Sequence, residues 1–554
     1  MHPVDWLVVV LYFGLIGFIG YRTGRGNRGI EDFLLARRAM PWYAIALSVM
    51  ATQASAITLV GTTGQGYIDG MRFVQIYFGL PIAMVILCAT LVPFFYRARV
   101  YTAYEYLENR FDGKTRSLTS LLFLLNRALS DAIVIYAPSV VLAIVFGIDE
   151  ELIILAIGAG ATIYTALGGM RAVMWVEMWQ MLIILFGILF ALGAVVAGLP
   201  GDVSFLSAVR LAGATGRTET VDFTFDPTVT YTFWSGLLGG TFLMLSYFGC
   251  DQSQVQRYLT ARSLGESRLS LLFNALVKIP MQFVILLTGA LLFVYYQFEK
   301  PPVVFNPVAL ERIATLPEAG RLTEQYDEAF EARRAAALEF SISEGDGPAR
   351  EAFVAADTRL HGVRAEVISL IEDVEQAPFN DTNYVFPTFV LTRLPVGVVG
   401  LILVAIFAAA MSTVESELTA LSSATVVDFY RRYVRPVGED SHYLRVSRVA
   451  TLFWGAVATL FALYMGRLGS VIEAVNVIGS NFYGPILGVF ILAVGTRRTN
   501  GHGAFAGVLV GIVAVQLVSW LTDVSFLYYN LVGAGVSVAV GYGASGYQRA
   551  GGSV

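Results

Sequence analysis

The chain has 554 residues, of which 56% are hydrophobic and 14% are charged, and its formal net charge is −5. Soluble domains carry about 25% charged residues, so this composition excludes an ordinary soluble protein and requires a lipid environment. The sequence has no basic block of the kind that binds nucleic acid, which argues against a nucleic-acid partner. Cys88 and Cys250 lie in apolar runs, so neither a disulfide framework nor a cysteine metal site is predicted.

Apolar runs divide the chain into membrane spans, each of which needs about 20 mostly apolar residues. The first run, Val4 to Gly20, lacks the basic start and the cleavage site of a signal peptide, so we interpret it as a span. We predict an all-α integral membrane protein with about 13 transmembrane helices. The predicted spans lie near residues 4–20, 42–68, 73–96, 118–147, 150–169, 174–198, 232–258, 268–297, 396–430, 443–465, 468–494, 501–521 and 525–546.

Arginine and lysine residues concentrate in every second loop between the predicted spans. The loop after the first span holds Arg37 and Arg38, and the loop after the third span holds Arg97 and Arg99. Cytoplasmic loops retain an excess of these residues. We therefore predict a multi-pass protein of the cell (inner) membrane, with the N-terminus outside and the C-terminus in the cytoplasm.

The segment 299–381 does not fit a bilayer, because it is polar and has alanine, glutamate and arginine at helical spacing, as in Glu328 to Arg334. We predict an extracytoplasmic helical hairpin, since long loops translocate largely regardless of their charge. A lid, a partner surface and a solvated insertion are the roles open to it.

The sequence lacks the signals of catalysis. Its histidines stand at positions 2, 361, 442 and 502 without an H-E-x-x-H pattern, so a zinc hydrolase is excluded. Gly113-Lys114-Thr115 resembles the end of a phosphate-binding loop, but Glu108 stands where that motif requires its first glycine. We therefore predict a protein that is not an enzyme and does not use ATP.

Polar and small residues interrupt two of the apolar spans, and polar groups buried in a membrane tend to mark transport pathways. One cluster runs from Ser48 to Tyr67, and the other from Ala408 to Glu417. Close helix packing and hydroxyl groups bonded back to their own helix are the structural alternatives. The adjacent hydroxyl groups of Ser412 and Thr413 also suit a hard cation such as sodium, which prefers oxygen ligands.

Three strings of residues resemble one family of transporters. They are Thr165 to Gln180, which contains Gly-Gly-x-x-Ala-Val-x-Trp-x-acid-x-x-Gln, then Gln256 to Leu259, and Met411 to Thr413. By these strings the chain resembles the sodium:solute symporter family, which includes carriers of sugars, proline, pantothenate and iodide. The resemblance covers nearly the whole chain and implies sodium-coupled symport of a small organic solute by alternating access.

The resemblance also implies a LeuT-like fold, in which two inverted repeats of five helices surround a site at the middle of the bilayer. The implied parts are an extra N-terminal helix and loop at 1–41, a first repeat at 42–198, an external loop at 199–231, a second repeat at 232–494 that contains the insertion 299–381, and C-terminal helices at 495–554. The lipid bilayer is then a partner of the whole chain.

The sodium ligands of the family carry over position by position, and all of them match. They are the backbone carbonyl groups of Ala51, Ala54 and Ala409 and the hydroxyl groups of Ser412 and Thr413. Glu177 stands where the family usually has aspartate, and the resemblance assigns to that acid a second sodium site or a release path. The implied co-transported ion is sodium.

The solute site matches the sugar-carrying branch of the family only in part. The residues that the resemblance places there are Gln53, Thr58, Gln75, Met244, Tyr247, Lys278 and Asn476. A sugar or polyol is one expectation, and a small carboxylate or amino acid is the alternative. Lys278 either attracts an anionic solute or pairs with Asp251, and Arg127 is expected to pair with Asp131. A sodium-dependent channel or solute sensor that retains the fold stays open as a second class of function.

Overall fold

Helices make up nearly all of the chain. A computed structural model describes the backbone of residues 2–24, 26–343, 347–465 and 471–551, and the side chains of residues 2–24, 26–343, 347–465 and 481–546. Within these ranges, the only strand-like pairing is one isolated bridge between Met40 and Ala261.

Twenty-two α-helices follow one another along the described chain. They are α1 (Pro3–Gly24), α2 (Ile30–Leu35), α3 (Trp42–Gln53), α4 (Ala56–Ile68), α5 (Leu80–Ala89), α6 (Leu91–Ala98), α7 (Ala103–Arg110), α8 (Gly113–Phe146), α9 (Glu150–Ala197), α10 (Phe205–Ala214), α11 (Gly240–Cys250), α12 (Gln252–Tyr258), α13 (Leu264–Phe298), α14 (Pro307–Ile313), α15 (Pro317–Ile342), α16 (Gly347–Glu375), α17 (Val385–Arg393), α18 (Val398–Ser423), α19 (Asp440–Met465), α20 (Val471–Gly495), α21 (Gly501–Leu521) and α22 (Tyr529–Gly551).

Eight helical segments of the described chain are long and apolar enough to cross a membrane, and the bent pair α3 and α4 adds a ninth. The eight are Pro3–Gly24, Arg72–Ala98, Gly113–Phe146, Glu150–Ala197, Leu264–Phe298, Val398–Val434, Asp440–Met465 and Gly501–Leu521. Glu150–Ala197 covers two of the predicted spans, and the remaining predicted spans fall on the shorter apolar helices Ser235–Cys250 and Asn481–Gly495 and on α22. The predicted all-α membrane architecture is confirmed.

Large apolar side chains point outward along these helices. On α1 the exposed fractions are 55% for Leu7, 62% for Leu11 and 58% for Phe18, and on α9 Phe186 is 68% exposed. An apolar exterior of this extent suits lipid rather than water. The helical backbone satisfies its own hydrogen-bonding groups, which a bilayer cannot do.

The predicted span 42–68 is broken in its middle. Its two halves, α3 and α4, meet at an angle of 61°. The Ser55 hydroxyl accepts a hydrogen bond from the Thr58 N–H at 3.3 Å and so begins α4 as its N-cap. Because Thr58 no longer donates to Ala54, the break leaves carbonyl groups of α3 without their usual helical partners.

A second break lies within α9. Gly169 has φ 62° and ψ −167°, outside the helical region, and a Cβ atom built there would lie 2.8 Å from the carbonyl oxygen of Phe33. Only glycine fits both this backbone conformation and this close approach. The sequence predicts one span that ends at residue 169 and another that begins at residue 174. The structure places the break between them at Gly169, eight residues before Glu177.

The polar insertion forms two long helices, α15 and α16, which pack against each other around Tyr326, Phe330 and Leu360. Arg333 of α15 joins the insertion to the membrane part, because it donates to the carbonyl oxygen of Tyr296 at 2.9 Å. The insertion therefore packs on the end of α13 and is not a detached loop.

The side of the membrane on which the insertion lies stays a prediction. A cysteine in place of Glu331, which is exposed, is expected to react with an impermeant thiol reagent added outside intact cells. A cysteine in place of Arg497, also exposed, is the matched control and is expected to react only after lysis. Cys88 and Cys250 are buried, so they give little background. The opposite labelling pattern would reverse the predicted topology.

Candidate functional site

The break between α3 and α4 faces the middle of α18, and this contact joins the predicted sodium ligands. The Ser412 hydroxyl lies 3.0 Å from the carbonyl oxygen of Ala51 and 3.1 Å from that of Ala409. The Thr413 hydroxyl lies 3.3 Å from the carbonyl oxygens of Ala409 and Thr52. Ala51, Ala409 and Ser412 have no exposed surface. Four of the five predicted ligands thus form one buried cluster of oxygen atoms, of the kind that a hard cation binds.

The fifth predicted ligand, Ala54, is the first residue past α3. Its backbone leaves the helical conformation with φ −91° and ψ 61°, and its N–H donates to the carbonyl oxygen of Ala51 at 3.1 Å. Thr58 would donate to Ala54 in an unbroken helix, but it donates to Ser55 instead. The Ala54 carbonyl group is therefore available to a cation, as carbonyl groups of unwound transporter helices are.

An ion pair between Glu177 of α9 and Arg257 of α12 lies against the cluster. Arg257 donates to Glu177 and Ser416, and the hydroxyl groups of Ser48 and Ser416 also contact the Glu177 carboxylate. Ser416 reaches the carbonyl oxygen of Ser412 at 2.5 Å. These five residues have no exposed surface. Both oxygens of Glu177 are thus occupied in this conformation, and the ion pair supports α18, the helix that carries the predicted ligands Ala409, Ser412 and Thr413.

Three of the predicted solute residues meet at the helix break. The Lys278 ammonium group lies 3.4 Å from the carbonyl oxygen of Gln53 and 5.4 Å from the ring centre of Tyr77. The Thr58 hydroxyl lies 3.3 Å from the same Gln53 oxygen. The Gln53 side-chain oxygen is buried and has no hydrogen-bond partner among the described residues. Tyr77 was missed by the sequence analysis, because a single aromatic residue in an apolar span carries no distinguishing signal.

The expected ion pair of Arg127 with Asp131 is wrong, and so is the alternative that pairs Lys278 with Asp251. Asp251 pairs with Arg127 at 2.5 Å, so it does not neutralise Lys278. Arg127 also pairs with Glu417 at 2.5 Å. Both of its ion pairs are therefore with residues of other helices and not with Asp131. Lys278 has no exposed surface and forms no salt bridge with any carboxylate in the described part of the chain.

Two predicted solute residues have other partners. The side-chain amide of Gln75 is buried and binds backbone groups of Arg72, Asp222 and Tyr231, so it fixes the loop that contains Asp222 and Tyr231. Met244 is 6% exposed and packs in an apolar cluster of the core. Neither residue joins the group at the helix break.

Tyr247 lies beside the Arg127 ion pairs. Its ring centre is 5.5 Å from the guanidinium carbon of Arg127, and its hydroxyl accepts a hydrogen bond from Gln254 at 2.9 Å. Asn476, the last predicted solute residue, lies outside the residues whose side chains the structure describes.

Comparison with known proteins assigns the chain to a family. The sequence model of the "Sodium:solute symporter family" matches residues 33–317 and 364–511. The chain belongs to this family. The symporter is 27% identical to the human sodium/iodide cotransporter over 92% of this chain and 68% of that protein. It is also 27% identical to a sodium-coupled monocarboxylate transporter of Xenopus laevis, over 95% of this chain and 72% of that one.

A solved structure agrees with the fold of the symporter. The structure of a sodium-coupled sialic acid symporter in a substrate-bound, outward-open state matches with a TM-score of 0.78 and 24% identity, over 98% of both chains. The LeuT-like fold predicted from the sequence is confirmed. Family and fold make the chain a sodium-coupled membrane transporter and not an enzyme, and sodium is its coupling ion.

Proposed function

We propose that the symporter carries a small organic anion with a carboxylate group, together with sodium, by alternating access. Sodium binds the carbonyl groups of Ala51, Ala54 and Ala409 and the hydroxyl groups of Ser412 and Thr413. The observation that carries this proposal is the contact of Ser412 with the carbonyl oxygens of Ala51 and Ala409, at 3.0 and 3.1 Å. It joins α3 and α18, so a cation bound there holds the two helices together.

The proposed architecture follows the inverted repeats, at 42–198 and 232–494, with the N-terminus outside and the C-terminus in the cytoplasm. Alternating access moves one group of helices against the other around a fixed site. Sodium at the contact of α3 with α18 stabilises one of these arrangements. Release of sodium then favours the other arrangement, which couples the ion to the solute.

The solute class rests on Lys278. A buried ammonium group without a carboxylate partner is costly, and membrane proteins place such groups on substrate pathways. The free side-chain oxygen of Gln53 and the hydroxyl of Thr58 lie beside it and suit a solute that also carries hydroxyl or amide groups. Relatives are named for iodide, monocarboxylates and sialic acid, which are anions at neutral pH. A neutral sugar or polyol lacks this support.

The proposed role of Lys278 is tested by measuring how tightly carboxylates bind to Lys278→Met. At saturating sodium, carboxylate binding is expected to weaken by about 2–5 kcal/mol, because removal of one partner of a buried charged hydrogen bond costs roughly that much. Sodium binding without solute is expected to change little. Calorimetry on the purified protein, with sugars and polyols in parallel, measures both.

Lys300→Met is the control for Lys278→Met. Lys300 is 47% exposed and pairs with Asp327 in the insertion, so its loss is expected to leave carboxylate binding unchanged. Equal carboxylate affinity in the Lys278 variant and the native protein would contradict the proposed solute class. Tighter binding of a neutral sugar than of any carboxylate would do the same.

Accumulation of solute separates a symporter from a channel or sensor that keeps the fold. In proteoliposomes with an inward sodium gradient, the symporter is expected to concentrate a carboxylate above its outside level. Replacement of sodium by potassium on both sides is expected to remove the accumulation. A channel would stop at equal concentrations, and a sensor would bind the solute without any uptake.

A further inference from the structure

Arg127 lies among three buried carboxyl groups. Its guanidinium group contacts Asp251 at 2.5 and 2.7 Å and Glu417 at 2.5 Å, and Asp131 follows it by four residues on α8. The exposed fractions are 5% for Arg127, 0% for Asp131 and 1% for both Asp251 and Glu417. One fixed positive charge therefore faces three acids in a water-excluded region.

The three carboxyl groups differ in how well they are satisfied. Asp251 accepts from Arg127 and from the Tyr483 hydroxyl on one oxygen and from Ser253 on the other. Glu417 accepts from Arg127 on one oxygen, and its other oxygen is unpartnered among the described residues. Asp131 has no hydrogen-bond partner on either oxygen within the same residues. Asp131 is therefore the acid with the least support for a negative charge.

An isolated carboxylate in such a place is too costly to persist, and the group takes up a proton instead. We propose that Asp131 is a proton-binding site, and that it holds a proton while Arg127 joins α8 to α18 and to the junction of α11 and α12. This inference goes beyond the proposed sodium-coupled symport.

The surroundings of Asp131 offer no other neutralising charge. The charged groups that act on it are Glu417 from α18 and Arg127 from its own helix, and among the described residues α9 and α19, which also pack on α8, bring none. Asp251 binds Arg127 and accepts a hydrogen bond from the Tyr483 hydroxyl of α20, so both groups influence Asp131 through the position of Arg127.

Release of the proton follows from the position of Arg127. Residues four apart on a helix are neighbours, so Asp131 is the nearest new partner when α8 separates from Asp251 and Glu417. Arg127 then pairs with the ionised Asp131. The neutral carboxylic acid becomes a carboxylate, and its proton passes to water that enters the opened gap. Proton uptake and release at Asp131 thus accompany closing and opening of this junction.

Infrared spectroscopy of the purified protein tests the site without transport. Glu415 is a second buried acid with no hydrogen-bond partner on either oxygen among the described residues, so the measurement is made in a Glu415→Gln background. That protein at neutral pH is expected to show the C=O stretch of a protonated carboxyl group, and the addition of Asp131→Asn is expected to remove that band. Asp202→Asn, which changes an exposed loop acid, is the matched control and is expected to retain it. A band unchanged in Asp131→Asn, or lost instead in Glu417→Gln, would overturn the assignment to Asp131.

Uptake in proteoliposomes gives the second readout. Asparagine has the shape and neutrality of protonated aspartate but cannot ionise to receive Arg127, so Asp131→Asn is expected to slow sodium-driven uptake and to make it independent of pH. Native uptake is expected to fall at alkaline pH, where ionised Asp131 competes for Arg127. Identical pH profiles for the two proteins would contradict the proposal. If Asp131→Asn does not fold, the C=O band is instead followed while the pH of the protein that carries Asp131 is raised, and the band is expected to disappear at alkaline pH. Absence of the band at neutral pH would exclude proton binding at Asp131.

Discussion

Alanine in place of Ser412 is expected to abolish sodium-driven uptake while the protein still inserts in the membrane, and Thr413→Ala is expected to do the same. Ser412 contacts carbonyl oxygens of both α3 and α18, so its loss removes a proposed ligand and one of the contacts between the two helices. Hard cations need a filled shell of oxygen ligands. Each variant removes one of only five.

Thermal unfolding in sodium and in potassium measures the effect directly, because a ligand that binds only the folded state stabilises it by RT ln(1 + [L]/Kd). The native protein is expected to gain stability in sodium, and both alanine variants are expected to lose that gain. Ser423→Ala is the control, since Ser423 is a buried serine of the same helix whose hydroxyl bonds back to Thr419 at 2.8 Å. Near-normal sodium affinity in both Ser412 and Thr413 variants would refute the site.

Loss of the Glu177–Arg257 ion pair is expected to have the second large effect. Both side chains have no exposed surface. Removing one partner of a buried ion pair costs about 3–5 kcal/mol, because the other charge stays buried without compensation. Glu177→Gln, which keeps the shape of the side chain, is therefore expected to reduce the folded yield and the thermal stability in detergent. Ser416 touches the carbonyl oxygen of Ser412, so sodium affinity is expected to fall as well.

A double variant and an exposed pair serve as controls for this prediction. Glu177→Gln combined with Arg257→Met removes both charges and is expected to recover much of the lost stability, since neither charge is then unpaired. Arg72→Gln breaks the pair of Arg72 with Glu219, which are 47% and 55% exposed, and is expected to change stability by less than about 1 kcal/mol. Equal effects of Glu177→Gln and Arg72→Gln would contradict the role assigned to the buried pair.

The residues of the proposed sodium site stand out in the sequence because they lie in two short strings with unusual composition. Ala51 stands in a polar stretch of an apolar span, and Ser412 and Thr413 follow a run of small residues. The motif match fixed their register, and the structure brings them to hydrogen-bonding distance. Their role as ligands stays a prediction.

The ion pairs were not predictable, because they join residues far apart in the chain. Glu177 and Arg257 are separated by 80 residues, and Arg127 and Glu417 by 290. Sequence reasoning paired Arg127 with Asp131, its neighbour on the same helix. The packing of α8 against α18 turned the guanidinium group to other helices instead, and no local pattern carries that information.

The helix breaks were visible only in part. The cluster from Ser48 to Tyr67 marked this span as unusual for a membrane helix, but the spans were assigned by apolar length, which does not register a bend of 61°. The glycine pair before Glu177 belonged to a recognised motif, yet the left-handed conformation of Gly169 depends on its contact with Phe33. Such tertiary contacts decide which of several glycines bends the chain.

The break between α3 and α4 also has an electrical consequence. Aligned peptide dipoles give a helix about half a positive charge at its N-terminus and half a negative charge at its C-terminus. The negative end of α3 and the positive end of α4 therefore meet at one point in a medium of low polarity. A cation at the first pole and a carboxylate at the second would each lower the energy of the other, so the broken helix favours binding of the two cargoes side by side, in addition to the attraction of Lys278 for the carboxylate.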